Sequence, residues 1–154
     1  MEMVTSSWEI ATVKKFKPCK RLRIHTLESG YSDPREVLLH AAFQTLEDLI
    51  HEKMFKMVDW KWNETQSAIY DEWMALHEWW TKIRPNRKDP FDDPECPELD
   101  MSQDMNGFTL WKTDEEHAKW SEFAKKSSEW EEACNKEDDE MLHRLINTRL
   151  YMWT

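Results

Sequence analysis

Three residue pairs in this sequence combine the residue types and the spacing of metal ligands on a helix. In each pair an acidic residue lies three positions before a histidine, so both side chains share one helical face. Helical bundles use such pairs, together with two further carboxylates, to hold di-iron or di-manganese centres. The pairs are Asp48 with His51, Asp114 with His117, and Glu140 with His143. One hypothesis is therefore a metal-dependent helical-bundle enzyme whose ligands are Asp48, His51, Glu140 and His143.

The composition weakens this metal hypothesis. With six histidines and 31 acidic residues among 154, such pairs also arise by chance, and Asp114 falls at a predicted helix start. The sequence contains no Gly-x-Ser-x-Gly elbow, Walker A loop or dinucleotide-binding glycine motif. Gly30 and Gly107 are its only glycines, which excludes most phosphate-cradling loops. We therefore predict no catalytic residues and no cofactor, and favour a non-enzymatic protein.

Residues 77–90 have the composition of a binding surface. Two tryptophans stand directly before a basic turn with prolines, in a chain that contains ten tryptophans. Trp79 and Trp80 lie about 100° apart around a helix, so one can enter the core while the other reaches its margin. Helical phasing assigns Trp80 to the core and leaves Trp79 exposed. The predicted binding surface consists of Trp79, Arg84, Arg87 and Lys88.

Two kinds of ligand fit this predicted surface. Arginine beside exposed tryptophan is typical of protein-interface hot spots, which favours a protein partner, including a second copy of the chain. The alternative is a small-nucleotide binder, in which Trp79 stacks on a base while Arg84 and Arg87 hold a phosphate.

Charge and composition limit the class of protein further. The net charge of −10 argues against nucleic acid and anionic membranes as partners. No apolar run approaches the roughly 20 residues that a membrane span needs, and residues 1–8 lack the features of a signal peptide. Three cysteines without paired spacing indicate reduced thiols. We expect a protein that stays in the cytoplasm where it is made.

Helical periodicity dominates the chain and predicts a mainly α fold. We expect three to four amphipathic helices in one bundle-like domain over residues 1–154, with a short N-terminal β-hairpin or extended segment. The predicted segments are a basic strand-like region at 1–32, a helical hairpin at 33–84, a Pro-rich acidic loop at 85–112 and C-terminal helices at 113–154. The end of this loop is expected to pack against the rest of the domain through Phe108, Leu110 and Trp111.

Capping signals and apolar stripes place the individual elements. Asp33 and Pro34 start a first helix, whose stripe runs from Leu38 to Val58 and includes Met54. A second helix starts near Asn63 and ends before Pro85, because the residue preceding a proline disfavours helical backbone. The buried face of this helix is expected to carry Ile69, Trp73, Leu76, Trp80 and Ile83. His40 and His77, on or beside these stripes, are predicted to be hydrogen-bonded core histidines.

The N-terminal and C-terminal segments of the chain carry weaker secondary-structure signals. Alternation puts Leu22, Ile24 and Thr26 on one strand face, paired with a strand containing Trp8, Ile10 and Val13 across a turn at Lys17-Pro18. Thr113 starts a third helix, and a break near Asn135-Lys136 would begin a fourth. The third-helix stripe is Trp120, Phe123, Ser127, Trp130 and Cys134; the fourth helix carries Met141, Leu142, Leu145, Ile146, Arg149 and Trp153.

Three stretches of the sequence together resemble a family of uncharacterised proteins encoded by tailed bacteriophages. They are HTLESGY with LLHAAF at residues 25–43, HEWWTKIRPNRKDP at 77–90, and MLHRLI with RLYMWT at 141–154. The resemblance covers most of the chain and implies expression inside an infected bacterium. It implies no activity and no catalytic residues. Small acidic phage proteins often bind host or phage proteins, so we expect an accessory protein of host takeover or anti-defence in the host cytoplasm, acting by protein–protein binding.

Overall fold

The part of the chain that the structure describes, residues 9–14, 17–97 and 113–152, is mainly α-helical, as the sequence predicts. The structure is a computed structural model. Its contacts divide the chain into two compact units, the first of Met1–Pro85 with Glu140–Thr154 and the second of Asn86–Asp139. The single domain over residues 1–154 remains a prediction. The predicted roles of Trp8, Phe108, Leu110, Trp111 and Trp153 lie outside the described residues.

The first unit begins with the short hairpin that the sequence predicts. Strands β1 (Glu9–Lys14) and β2 (Lys17–Arg23) pair antiparallel. The predicted turn at Lys17-Pro18 is wrong, because both residues lie inside β2. The register shifts between Thr12 and Val13, next to the pairing of Val13 with Pro18. A proline, which has no N–H to donate, is tolerated in a strand at such an irregularity.

Helix α1 (Pro34–His51) starts where the sequence predicts but ends early. Asp33 caps it, its side chain accepting a hydrogen bond of 2.9 Å from the Arg35 backbone N–H. The predicted stripe as far as Val58 is interrupted at Glu52, whose backbone is extended, and a short helix α2 (Lys53–Met57) follows. The break changes the helical phase, so that Phe55 is buried while Met54 is exposed. Leu38, at the other end of the stripe, is also exposed.

Helix α3 (Glu64–Glu78) continues into an unusually wide turn. Its predicted start is confirmed, since Asn63 caps it by accepting a 2.8 Å hydrogen bond from the Gln66 N–H. A π-helical turn at Trp79–Ile83 follows, in which the Arg84 N–H bonds to the Trp79 carbonyl. The predicted end of the α-helix before Pro85 is confirmed. The expectation that Arg84 would leave the helical region is wrong, because its φ and ψ are −57° and −47°.

The wide turn gives a physical reason for this continuation. In a regular α-helix the Pro85 ring would clash with the carbonyl four residues earlier, whereas here the preceding turn is π-helical, with the Arg84 N–H bonded five residues back to Trp79. The chain then stays helical through a 3₁₀ turn at Arg84–Asn86. The altered phase also leaves Ile83 53% exposed, where the sequence predicts a buried residue.

Aromatic rings dominate the core of the first unit. Trp73, Leu76 and Trp80 are buried, as predicted, against Leu39, Phe43 and Leu46 of α1. The Phe43 and Trp80 rings stack with centroids 4.7 Å apart, and Trp60 meets Trp73 edge-on at 5.5 Å. Leu145 and the partly buried Met141 and Leu142 also belong to this core. Ile24, just after β2, is buried as well.

Helix α4 (Asp114–Asn147) is one continuous helix, so the predicted break at Asn135-Lys136 is wrong. Its predicted start is confirmed by Thr113, whose hydroxyl accepts a 3.2 Å hydrogen bond from the Glu116 N–H. Asparagine costs a helix interior only about 0.7 kcal/mol relative to alanine. Of the predicted stripe, Phe123 is buried and the others are half-buried. A 3₁₀ turn at Arg149–Tyr151 follows the helix.

A buried hydrogen bond joins α3 to the segment after α4. The Trp73 indole N–H donates to the Thr148 hydroxyl at 2.8 Å, and that hydroxyl donates to the Leu145 carbonyl at 2.8 Å. Both side chains are buried. The bond therefore supplies the one partner that the Trp73 N–H requires.

Replacing Thr148 should reveal the cost of leaving this indole without an acceptor. Thr148→Val keeps the shape but removes the hydroxyl, and we expect a loss of about 1–3 kcal/mol in the free energy of unfolding. Thr148→Ser, which retains the acceptor, is the control and should lose less. Urea unfolding followed by circular dichroism measures both. Equal stability of the Val and Ser variants would show that the hydrogen bond contributes nothing.

An ion pair makes a second connection between α3 and α4 within the first unit. Arg144 donates from Nε to Glu72 Oε1 at 2.7 Å and from a terminal nitrogen to Oε2 at 2.8 Å. The hydrogen bond from Arg144 lowers the pKa of Glu72 below its usual 4.5, although partial burial acts in the opposite direction. Ionised Glu72 therefore stabilises the fold.

The stability contributed by Glu72 should depend on pH. Because its pKa is lowered in the folded state, the contribution is present above pH 4.5 and is lost as the pH falls through the folded-state pKa. Glu72→Gln should cost about 0.5–1 kcal/mol at neutral pH, since both side chains are partly solvated. The difference from the wild type should shrink below pH 4.5.

Thermal unfolding between neutral and acid pH measures this difference. Asp71→Asn is the matched control, since Asp71 is an exposed neighbour on α3 with no ion pair among the residues described. A gap between wild type and Glu72→Gln that stayed constant across the pH range would contradict the assignment.

Candidate functional site

The structure buries Trp79, which the sequence predicts to be exposed. Trp79 is 3% exposed, and its ring lies 5.2 Å from Phe43 and 6.1 Å from Trp80. The prediction is wrong because both successive tryptophans at the π-helical turn pack towards α1. Trp79 is thus part of the core and is not available for stacking on a ligand.

Arg84 lies in the same unit and holds α1 against the end of the α3 region. Its guanidinium donates to Glu36 Oε2 at 3.0 Å and lies 5.1 Å from the centre of the Trp80 ring. The side chain is mostly buried. Its charge is therefore engaged within the protein by an ion pair and a cation–π contact.

His40 completes this cluster and confirms the prediction of a hydrogen-bonded core histidine. Its Nδ1 lies 2.7 Å from the Thr26 hydroxyl, its Nε2 lies 3.4 Å from Glu36, and its ring meets Trp80 edge-on at 4.8 Å. His77, the other predicted core histidine, is partly buried, with Nε2 3.1 Å from Glu47 Oε1.

The order hydroxyl, imidazole, carboxylate in this cluster is that of an activated nucleophile. A cavity of about 400 Å³ adjoins it, lined by residues 26–33, Glu36 and His40. The Arg84 guanidinium lies 3.5 Å from His40 Nε2 and already pairs with Glu36. A positive charge at this distance opposes formation of the imidazolium that a general base must become. The cluster is therefore better suited to holding the 24–33 segment on α1 than to catalysis.

Substitution of Arg84 tests this structural role. Arg84→Met keeps an unbranched stem over Trp80 but removes the ion pair, and should cost about 1 kcal/mol of stability. Combined with Glu36→Gln in a double-mutant cycle, it should show a coupling of about 0.5–1 kcal/mol. Urea unfolding provides the four values. A coupling of zero would mean that the two side chains do not stabilise each other.

Arg87 and Lys88, the other two predicted binding residues, belong to the second unit. Arg87 donates to Asp138 at 2.7 Å and to Glu137 at 2.5 Å. Burial alone would lower the pKa of Arg87, but the hydrogen bonds and charges of Asp138 and Glu137 outweigh it and raise the pKa. Lys88 is exposed. Of the four predicted binding residues, therefore, Lys88 alone is exposed to solvent.

The second unit is otherwise a loop held against α4. Asp89 accepts a hydrogen bond of 3.0 Å from the Ser127 hydroxyl and caps a 3₁₀ turn at Pro90–Asp92. The Phe91 and Trp120 rings lie 5.8 Å apart. The predicted Pro-rich loop thus begins with a short helical turn, and its residues 98–112 lie outside the described part of the chain.

The structure does not assemble the predicted metal ligands. Asp48 accepts a hydrogen bond from Gln44 at 3.0 Å, and His51 Nδ1 lies 2.7 Å from the Glu47 carbonyl. Across residues 22–97 and 113–152, no three His, Cys, Asp or Glu side chains are placed to hold a metal ion. Asp48, His51, Glu140 and His143 therefore do not form one ligand set.

The first unit also contains an aromatic groove, larger than the cavity beside His40, which the sequence does not predict. Its cavity has a volume of about 620 Å³ and is lined by Trp60, Asn63, Glu64, Thr65, Gln66, Ile69 and Tyr151. The Trp60 ring is fixed by an N–H donated to the Phe55 carbonyl at 2.8 Å and by contact with Phe55 at 4.8 Å. One wall of the groove is therefore a rigidly held indole.

Large apolar side chains are exposed at positions that directly precede groove-lining residues in the sequence. Trp62, which precedes Asn63, is 78% exposed, and Leu150, which precedes Tyr151, is 75% exposed. Tyr151 itself is 39% exposed. The sequence signal for this site is the Trp60-x-Trp62 pair directly before the Asn63 cap, since tryptophan is enriched at interface hot spots.

Comparison with known proteins identifies no relative of this chain. Neither a protein-family model nor a curated protein nor a solved structure matches the chain. Within the described ranges, no helix has both the length and the apolar character that a membrane crossing requires. The features that define the protein are a mainly α-helical fold and an open aromatic groove in its first unit.

Proposed function

We propose that this protein is a non-enzymatic accessory protein that acts by protein–protein contact and that the aromatic groove is its binding surface. The observation that carries the proposal is a groove walled by Trp60 and Tyr151, together with the exposure of Trp62 and Leu150, which directly precede groove-lining residues in the sequence. Tryptophan and tyrosine are the residues most enriched at interface hot spots, because each buries a large area at little cost in side-chain entropy.

The chemistry of the groove favours a protein over a nucleotide. Its volume of about 620 Å³ lies within the range of roughly 300–1,000 Å³ typical of ligand sites. Its lining contains no lysine or arginine, and Glu64 would face any phosphate placed there. The side chains required by the nucleotide alternative, Trp79, Arg84 and Arg87, are buried or ion-paired.

The cellular setting of the proposal comes from the sequence resemblance. A phage-encoded protein would work in the host cytoplasm, on a host or phage protein or on a second copy of itself. By analogy with small acidic phage proteins, its action would be in host takeover or against a defence system. The acidic net charge of −10 would favour partners that carry basic surfaces.

Affinity capture from infected cells tests the binding surface. Trp62→Ala and Tyr151→Ala should each reduce recovery of the partner at least about tenfold, as expected for hot-spot residues. Leu38→Ala and Tyr31→Ala are matched controls, because both side chains are exposed outside the groove, and should leave recovery unchanged. Quantitative mass spectrometry measures the recovery.

Circular dichroism of each variant shows whether the fold survives. Full partner recovery by folded Trp62→Ala and Tyr151→Ala variants would reject the groove as the binding surface. Size-exclusion chromatography of the same variants separates self-association from binding to another protein, since a dimer that uses the groove should dissociate in both.

A further inference from the structure

We infer that the aromatic groove receives an arginine side chain of the protein partner. This inference rests on the proposed function and adds the chemistry of the group that is recognised. The features that support it are two aromatic walls, one carboxylate and several neutral acceptors around a single cavity.

The aromatic walls suit a cation on an apolar stem. The faces of tryptophan and tyrosine attract guanidinium and ammonium groups, most strongly where water is displaced. Trp60 is held in place by its hydrogen bond to Phe55, so it need not reorganise to receive a ligand. Ile69 adds an aliphatic surface to the same lining, against which the methylene groups of a long side chain can pack.

Glu64 gives the groove a negative charge. It is exposed, lines the cavity and makes no ion pair with any residue in the described part of the chain. None of the other lining side chains carries a charge at neutral pH. A cation that enters the groove therefore finds an available carboxylate, and the net charge of −10 on the whole chain assists its approach.

Neutral acceptors favour arginine over lysine. The lining includes Asn63 and Gln66, whose side chains carry an amide carbonyl, and Thr65, whose side chain carries a hydroxyl. Asn63 Oδ1 already accepts the Gln66 backbone N–H, but an amide oxygen has a second lone pair. The planar guanidinium carries five donors and can reach a carboxylate and neighbouring acceptors together, whereas an ammonium acts as a point charge.

An anion is the competing occupant, because the groove lies at the start of α3. A helix N-terminus attracts negative charge through its free N–H groups and its dipole. Here the carboxylate of Glu64 already occupies the first turn, and Asn63 satisfies the Gln66 N–H. An entering anion would meet Glu64 directly, so the balance of charge favours a cation.

Binding of two short peptides to the full chain tests the inference. The probes are acetyl-Gly-Leu-Arg-Leu-Gly-amide and the same peptide with citrulline, which is nearly isosteric with arginine but uncharged. We expect the arginine peptide to bind with a Kd of about 1 mM or below and the citrulline peptide to bind at least about tenfold more weakly. Nuclear magnetic resonance titration, with the Trp60 indole N–H as the reporter, measures both.

Two groove variants distinguish the contribution of the Glu64 charge to peptide binding from that of the aromatic walls. Glu64→Gln should remove most of the preference for arginine over citrulline, while Tyr151→Ala should weaken both peptides. Tyr31→Ala, outside the groove, should change neither. Equal binding of the two peptides, an unchanged preference in Glu64→Gln, or no shift of the Trp60 signal with either peptide would overturn the inference. If capture of the partner still depended on Trp62 in that case, the proposed protein-binding function would stand without the arginine inference.

Discussion

Two indole N–H groups, those of the partly buried Trp60 and the buried Trp73, find hydrogen-bond acceptors that organise the first unit. Trp60 satisfies its N–H at the Phe55 carbonyl, and Trp73 satisfies its N–H at the Thr148 hydroxyl. The first bond fixes the Trp60 ring, which is one wall of the groove. The second holds the chain three residues before Tyr151, which is the other wall. The same requirement that stabilises the core therefore also positions the candidate binding surface.

The π-helical turn at Trp79–Ile83 is a second feature on which the first unit depends. It accommodates Pro85 without ending the helical path, and it sends both Trp79 and Trp80 into the core. In the same turn Ile83 becomes exposed, and Arg84 reaches Glu36 on α1. The residues that look most like a binding motif in the sequence are thus used mainly for packing and for an ion pair.

The helix caps were predictable from the sequence, whereas several features set by distant contacts were not. The caps at Asp33, Asn63 and Thr113 depend on a few neighbouring residues, so their positions were correct. The break at Glu52 and the burial of Trp79 depend on which helices pack together, which no local pattern records. The groove could not be predicted for the same reason, because Tyr151 is distant in sequence from the other lining residues, which lie between positions 60 and 69.

The bond between Trp73 and Thr148 spans 75 positions of the sequence and has a consequence for folding during synthesis. Residues 140–151 belong to the first unit, so that unit is incomplete while its early helices alone have left the ribosome. Contacts of such long sequence separation form slowly, because bringing the two ends of the intervening chain together costs entropy before the contact stabilises them. Until then the Trp73 indole N–H lacks the acceptor that it has in the folded unit, and apolar surface exposed in such an interval favours aggregation.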